Sequence, residues 1–592
     1  MSDFKTVLVK DSVIADITAD IDYAVQSGAS QATYQRFPST SSSNSAVIFN
    51  IQVPSENVVI GRDILVNTGI TFQLNCGGNA LGPDGQVGYY QVPVDESVLS
   101  YGVTDALHCF PFASLLTTAT AQINNTTCSV NLQDVFPSLL RMNDSRELYR
   151  FNSMTPSLPD QAYGMYADAI GAGNNPLASY SNGSYDLDQL PRGAQPAVIT
   201  VLHNITAGGT DDSLISTNVL DTWVITVSIA VAEPLFLSPF IFGNPEFNNQ
   251  GLLGINNMTF TLNVDATCKR LWSSANHYIR TITLGTSVAP NGFQSPSIGI
   301  TGAPTTPTML FKFLSTQPSD LVQTKNIVPY MDFPRYLTSS ANNPIVNAGQ
   351  GGVTLVSSNL QINQIPDMFL ISVRYPMNRQ TSYNTDSFLT IQSISVNLNN
   401  QSGLLSSASQ YDLWRMCVRN GSTQSFAEFR GQSEALIDGE PTIVPTTGSL
   451  LVLNPAYDLS LPDYISCGSL GNYNFQIQIT VANQFAFNIQ PEICIVCVNS
   501  GIFTTQQGVS AVYTGILTKE MVLSAKSSSP ASAMTSNEVQ RMTGGRMLDM
   551  GAISVGRMRH FGRRGVGASV GGFNTSGGAI GNTSGGRLKK MC

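Results

Sequence analysis

The chain has 592 residues, too many for one hydrophobic core, so two large domains with smaller appendages are expected. Charged residues make up only 12 %, about half the usual soluble share, while Asn, Ser, Thr, Gln and Gly fill the polar positions. An exterior so poor in charge suits extensive burial against copies of itself, and the scarcity of i,i+4 charge pairs argues against a mainly helical fold.

Residues 1–30 read as an N-terminal arm. Met1 to Asp11 contain no apolar segment of signal-peptide length, which argues against secretion by the usual route. The first β domain is expected over 31–290. Its run Ala46-Val47-Ile48-Phe49-Asn50-Ile51-Gln52-Val53 alternates and is rich in β-branched and aromatic residues, a strand pattern. Thr120 to Leu132 then read as a strand, an Asn124-Asn125 turn and a second short strand, since Asn tolerates positive φ. A short helix carrying Leu139-Leu140-Arg141-Met142 follows.

An excursion over 143–220, rich in Asn, Gly, Ser and Tyr, comes next, and a loop that long inside a compact domain is usually functional or interface-forming. Trp223 to Phe242 is the most apolar stretch, but Glu233, Pro234 and Pro239 within it favour buried strands over a membrane span. The paired prolines of Ala303-Pro304-Thr305-Thr306-Pro307-Thr308 mark the domain junction, because proline cannot sit in a central strand.

The second domain is expected over 300–525, and it repeats the first. Ile394 to Leu405 carry a strand, an Asn399-Asn400 turn and a second strand, and Leu413-Trp414-Arg415-Met416 follow, about 275 residues after the first copy. Such a spacing points to one whole β domain used twice, not to a solenoid. Asn474 to Val481 alternate as a further strand.

Chemistry finds little support. Cys494 and Cys497 form a CxxC, but Ile493, Ile495, Val496 and Val498 place it in a strand, where i and i+3 point to opposite faces. The nine cysteines read as reduced residues in apolar settings. His108, His203, His277 and His560 lie far apart, and Gly77-Gly78, Gly208-Gly209 and Gly351-Gly352 lack the lysine of a phosphate loop. The sequons at Asn204 and Asn257 are expected by chance in a chain this rich in Asn, Ser and Thr. No enzyme, cofactor or metal is expected.

From Arg546 to Cys592 eight basic residues stand against one acid, so the net charge of −9 divides into −16 for residues 1–545 and +7 for the last 47. This Gly-rich tail, 530–592, has no hydrophobic periodicity and is expected to be disordered in isolation. Arg557, Arg559, Arg563, Arg564, Lys589 and Lys590 could neutralise nucleic-acid phosphates without reading sequence or dock on acidic neighbours. A solvated linker is the plain alternative.

The fold class expected from these elements is all-β: two tandem jelly-roll β-sandwiches with short helices and long loops. Particular residues carry a closer resemblance: Gln31 to Thr40, the block from Asn174 to Gly193, Phe236-Leu237-Ser238-Pro239-Phe240 followed by Met258 to Leu262, and Ala482-Asn483-Gln484 after a late strand. Together they resemble the major capsid proteins of virophages of the Sputnik and Mavirus kind, within the double jelly-roll class of polinton-like DNA viruses. No match is seen between about 310 and 350. The resemblance implies a homotrimer forming a pseudo-hexagonal capsomer, neighbouring capsomers, penton and minor capsid proteins as partners, and a place in an icosahedral virion assembled inside the host cell. It also implies that the 143–220 excursion lies on an outward or inter-subunit face.

Met542-Thr543-Gly544-Gly545-Arg546 resembles the site cut by adenovirus-type maturation proteases, which implies processing after Gly545; the alternative is a linker whose glycines end a helix begun near Asn537. Arg587 to Cys592 resembles the basic, cysteine-containing peptide that activates such proteases, with Cys592 as the exchanging thiol beside Lys589 and Lys590. Two other functions compete with a capsid role. A carbohydrate-binding or adhesive β-sandwich would need secretion and would be expected to carry disulfides. A β-sandwich hydrolase would need a carboxylate pair or a His-metal cluster.

Overall fold

The computed structural model describes residues 7–10, 23–26, 31–55, 58–76, 78–81, 87–90, 105–108, 110–142, 197–205, 221–240, 251–274, 279–284, 293–294, 307–315, 325–382, 384, 387–437, 440–446, 448–459, 467–506 and 508–515. The first roll contains β1 (Gln31–Pro38), β2 (Ala46–Gln52), β3 (Leu65–Cys76), β4 (Leu116–Ile123), β5 (Thr126–Val130), helix α1 (Leu132–Met142), β6 (Ala197–Ile205), β7 (Asp221–Pro234), β8 (Asn257–Val264) and β9 (Thr308–Ser315). Hydrogen bonds order one sheet β6-β7-β3-β9-β1 and the other β5-β4-β8-β2. The chain therefore changes sheet after β1, β2, β3, β5, β7 and β8, which is the winding of a jelly roll. In β8, Met258, Phe260, Leu262 and Val264 point inward at every second position, and Phe260 meets Phe311 of the facing sheet with ring centroids 6.0 Å apart.

The second roll repeats the plan with β10 (Lys325–Asp332), β11 (Arg335–Thr338), β12 (Val353–Val356), β13 (Met368–Arg374), β14 (Thr390–Leu398), β15 (Gln401–Leu404), helices α2 (Gln410–Arg419) and α3 (Phe426–Arg430), β16 (Leu451–Leu453), β17 (Leu470–Ala482), β18 (Glu492–Gln506) and β19 (Val509–Thr514). One sheet runs β10-β18-β13-β16, with β11 and β19 also on β18; the other runs β12-β17-β14-β15. Phe369 of β13 stacks on Phe475 of β17 at 4.4 Å, closing the core between the sheets.

The duplication extends to single hydrogen bonds. Asn124 and Asn399 take φ of 52° and 51°, the left-handed turn conformation expected of them. Asn124 Oδ1 accepts the N–H of Asn256 at 2.9 Å, and Asn399 Oδ1 accepts the N–H of Asn474 at 2.8 Å. Each turn is thus pinned to the neighbouring long strand of its own roll.

Four details differ from the sequence expectation. Two strands, Val7–Lys10 and Tyr23–Gln26, pair as a hairpin within the expected arm. The excursion holds a sheet strand, β6, paired along its whole length with β7; the remainder of 143–220 lies outside the described residues. Although placed in the second domain by the Pro304 and Pro307 junction, Thr308–Ser315 is β9, bonded to both β1 and β3 of the first roll. The prolines precede a strand that closes the first sheet, so the chain leaves the first roll after 315. Finally, α1, expected from its equivalence with the second copy to pack against its own domain alone, also packs against the second roll, as described below.

Asn124→Ala and Asn399→Ala should each lower unfolding free energy by about 1–2 kcal/mol in urea titration, combining loss of the amide that lets asparagine tolerate the left-handed conformation with a lost hydrogen bond. Glycine at either position should recover roughly half of that loss. An effect in only one copy would show that the turns are not energetic equivalents.

Glu233 is buried at the end of β7, where its two carboxylate oxygens accept the N–H groups of Phe112 and Ala113, both at 2.9 Å. Burial pushes this carboxyl up to about 7 from 4.5, against the opposing pull of those two hydrogen bonds. Between these pH values the folded chain holds the extra proton, so ionisation of Glu233 removes stability as pH rises from about 4.5 through 7. Melting curves of the wild type minus those of Glu233→Gln should show this downward slope, on the order of 3 kcal/mol in total. A flat difference would contradict it.

Candidate assembly interface

The second roll has one sheet with no wet face in its middle. On β18 and β13, Cys497 and Phe369 are register partners and face the core. Their neighbours face away from it: Met368, Leu370, Ser372 and Arg374 on β13, opposite Val498, Val496, Cys494 and Glu492. An antiparallel sheet ordinarily leaves that side to water. Here Leu370, Val496, Val498 and Cys494 are fully buried and Arg374 is 1 % exposed. Cys494 and Cys497 thus lie on opposite faces, as alternation requires, and burial pushes the Cys494 thiol up to about 11, leaving it protonated at neutral pH.

Helix α1 of the first roll brings charge to this face. Asn131 Oδ1 accepts the N–H of Asp134 at 3.1 Å at the helix start. The Asp134 carboxylate then bridges two arginines of the second roll, Arg374 on β13 and Arg335 on β11, the latter at 2.6 Å. Arg374 Nε also donates to Glu492 at 2.7 Å. Two turns further along α1, the Arg141 guanidinium lies 3.3 Å over the Phe388 ring.

The hairpin turn locks the other end of the seam. Asn125 Oδ1 accepts the N–H of Ser510 at 2.7 Å, Ser510 Oγ donates to the carbonyl of Ile123 at 2.5 Å, and Thr126 Oγ1 donates to the carbonyl of Ser510 at 2.6 Å. Neutral hydrogen bonds continue the contact: Asn326 to Gly251 at 2.8 Å, Met331 N–H to Ser238 Oγ at 2.9 Å, and Lys269 Nζ to Asn378 at 2.8 Å. This arrangement makes one rigid unit of two rolls. Among the described residues no group of three or more His, Cys, Asp or Glu could hold a metal ion, and no helix is long and apolar enough to cross a membrane.

The site residues proposed from sequence, Gly544, Gly545 and Arg546 with Arg557, Arg559, Arg563, Arg564, Lys589, Lys590 and Cys592, all lie outside the described residues. The residues that hold the seam, Asp134, Arg335, Arg374 and Glu492, carry no local motif. Asp134 and Arg374 stand 240 positions apart, and only the fold brings them together.

Removing Asp134 leaves Arg374 buried with half of its neutralising charge gone. Asp134→Ala should therefore cost about 3 kcal/mol in chemical unfolding, while the triple change Asp134→Leu, Arg374→Met and Glu492→Gln, which strands no charge beside Arg374, should cost less than Asp134→Ala alone. A triple variant as unstable as the single one would place the energy in packing and not in the uncompensated charge.

Comparison with known proteins agrees with this geometry. The family model for the Sputnik virophage major capsid protein first domain matches residues 2–314, and that for the major capsid protein V20 C-terminal domain matches 333–501. The putative capsid protein V20 of Sputnik virophage is 28 % identical over 540 residues, covering 88 % of this chain and 81 % of that protein. The cryo-EM structure of the Sputnik virophage is similar in fold, with TM-score 0.65 and 24 % identity over 90 % of this chain and 98 % of that one. The crystal structure of the mavirus major capsid protein follows, with TM-score 0.59 and 16 % identity over 88 % and 98 %. The matched regions cover nearly all of the first roll and most of the second, leaving β10, β19 and the end of β18 outside, and the chain belongs to the Sputnik-type virophage major capsid proteins, structural components of the virion.

Proposed function

We propose that three copies of the chain associate so that their six rolls form a pseudo-hexagonal capsomer, and that these capsomers tile the icosahedral shell of a DNA virus. The observation that carries this reading is the buried outer face of the second roll. Two rolls of one topology are welded into a single body, and a ring of three such bodies presents six similar units to its neighbours. The low charge content favours shell contacts made by apolar and neutral polar groups.

On this reading residues 1–30 form an arm and 530–592 a basic tail on an acidic body. A maturation protease cuts after Gly545, and Arg557, Arg559, Arg563 and Arg564 contact packaged DNA without reading its sequence. Lys589, Lys590 and Cys592 belong to the released peptide, which takes the protease as its partner. Penton and minor capsid proteins complete the shell.

Apolar and neutral contacts are not screened by salt as surface ion pairs are. Sedimentation of the purified protein should therefore give a trimer at low ionic strength and equally in 1 M salt. Intact mass of the chain from mature particles should end at Gly545. Monomers in modest salt would sink the capsomer reading, and a full-length chain in particles would sink the processing step.

A further inference from the structure

The duplicated helices have unequal surroundings. Leu139-Leu140-Arg141-Met142 of α1 correspond to Leu413-Trp414-Arg415-Met416 of α2, so Pro137, Ser138 and Arg141 on the face of α1 toward the second roll match Tyr411, Asp412 and Arg415. In α1 these residues are buried. In α2 they are exposed: Tyr411 keeps 48 % of its surface and Val418 44 %, with Asp412 and Arg415 open between them.

The receiving faces differ in the same sense. In the second roll, β18 is buried on both sides over Ile493–Val498. Its counterpart in the first roll is β9, which alternates buried with half-exposed residues and carries β1 at its edge. On the outer side of that pair stand Tyr34, 58 % exposed, and Arg36, register partners of Lys312 and Leu310. One chain therefore holds one complete seam and the two separated halves of a second. The halves are also complementary in charge. Asp134 meets Arg374 and Arg335 in the complete seam; the position matching Asp134 is Ala408, and the acid exposed on α2 is Asp412, one turn further on beside Arg415, while Arg36 and Lys312 stand on the outer side of β1 and β9.

We propose that the exposed face of α2 docks on the outer face of β1 and β9 in a second copy of this chain, repeating between subunits the seam that α1 makes within one. The contact is head-to-tail, so it leaves the same two halves open at the ends of any partial assembly and is satisfied throughout only by a closed ring. The inference rests on the trimeric reading above and specifies which surfaces close it.

The test is site-specific photocrosslinking of the full chain with p-benzoylphenylalanine in place of Tyr411, an aromatic exchange at an exposed position. Isotopically labelled and unlabelled copies are mixed to identify links between subunits. Peptides from 31–38 or 308–315 of another copy should be captured, and Val418→Glu should weaken association at least tenfold while the circular dichroism spectrum is retained. A wild-type trimer whose links map elsewhere, or whose Val418→Glu variant associates normally, overturns this assignment and leaves the trimer standing. A monomeric wild type overturns both.

Discussion

The outer face of β13 and β18 is the constraint from which the rest follows. Met368, Leu370, Val496 and Val498 are apolar and fully shielded, and each is worth about 1.5–3 kcal/mol when removed from water. A free-standing second roll would leave Arg374 without Asp134 and β18 without helix α1 against it. The first roll therefore supplies part of the cover and charge balance of the second. This is why cross-roll hydrogen bonds occur at both ends of the seam, at Ser510 and at Lys269, and not at one hinge-like point.

An all-apolar seam would have been at least as stable, since desolvating Arg374 and Asp134 consumes much of their attraction. What the ionic cluster adds is position. Apolar surfaces tolerate sliding, whereas a carboxylate held by guanidinium groups on two separate strands admits one placement of α1 along and across the sheet. For a shell subunit this matters more than a few kcal/mol. An error of rotation between the rolls of one chain would be repeated in every subunit and would prevent closure.

Much of the fold was legible because its determinants are local. The Asn124 and Asn399 turns, the alternating runs at 46–52 and 470–482 and the opposed faces of Cys494 and Cys497 all depend on residues a few positions apart. The misplacement of β9 has the converse cause. Its partner β1 lies about 270 residues earlier, so the nearby Pro304 and Pro307 dominated the local pattern. In β6 the Asn- and Gly-rich sequence around it masked a strand whose pairing depends on Thr222 to Ile229, well downstream. The seam itself was beyond reach, since Asp134 in the first turn of one helix looks like an ordinary dipole-favoured acid until Arg374 is seen beside it.

The two helices show how tertiary context relaxes local rules. Helix α1 contains Pro137, which removes a backbone hydrogen bond and ordinarily costs about 3 kcal/mol inside a helix. It persists because nearly all of its residues are buried between two rolls, so packing outweighs the local penalty. Helix α2, held by one roll alone, has no such margin. It opens on a full capping box, Ser409 with Asp412, keeps proline out, and braces Trp414 between Tyr411 and Phe426 with ring centroids 5.4 and 5.5 Å away. Helix α1 is capped by Asn131 but interrupted by Pro137, and its burial outweighs that break; helix α2, exposed on one face, rests more on its capping box and its aromatic bracing.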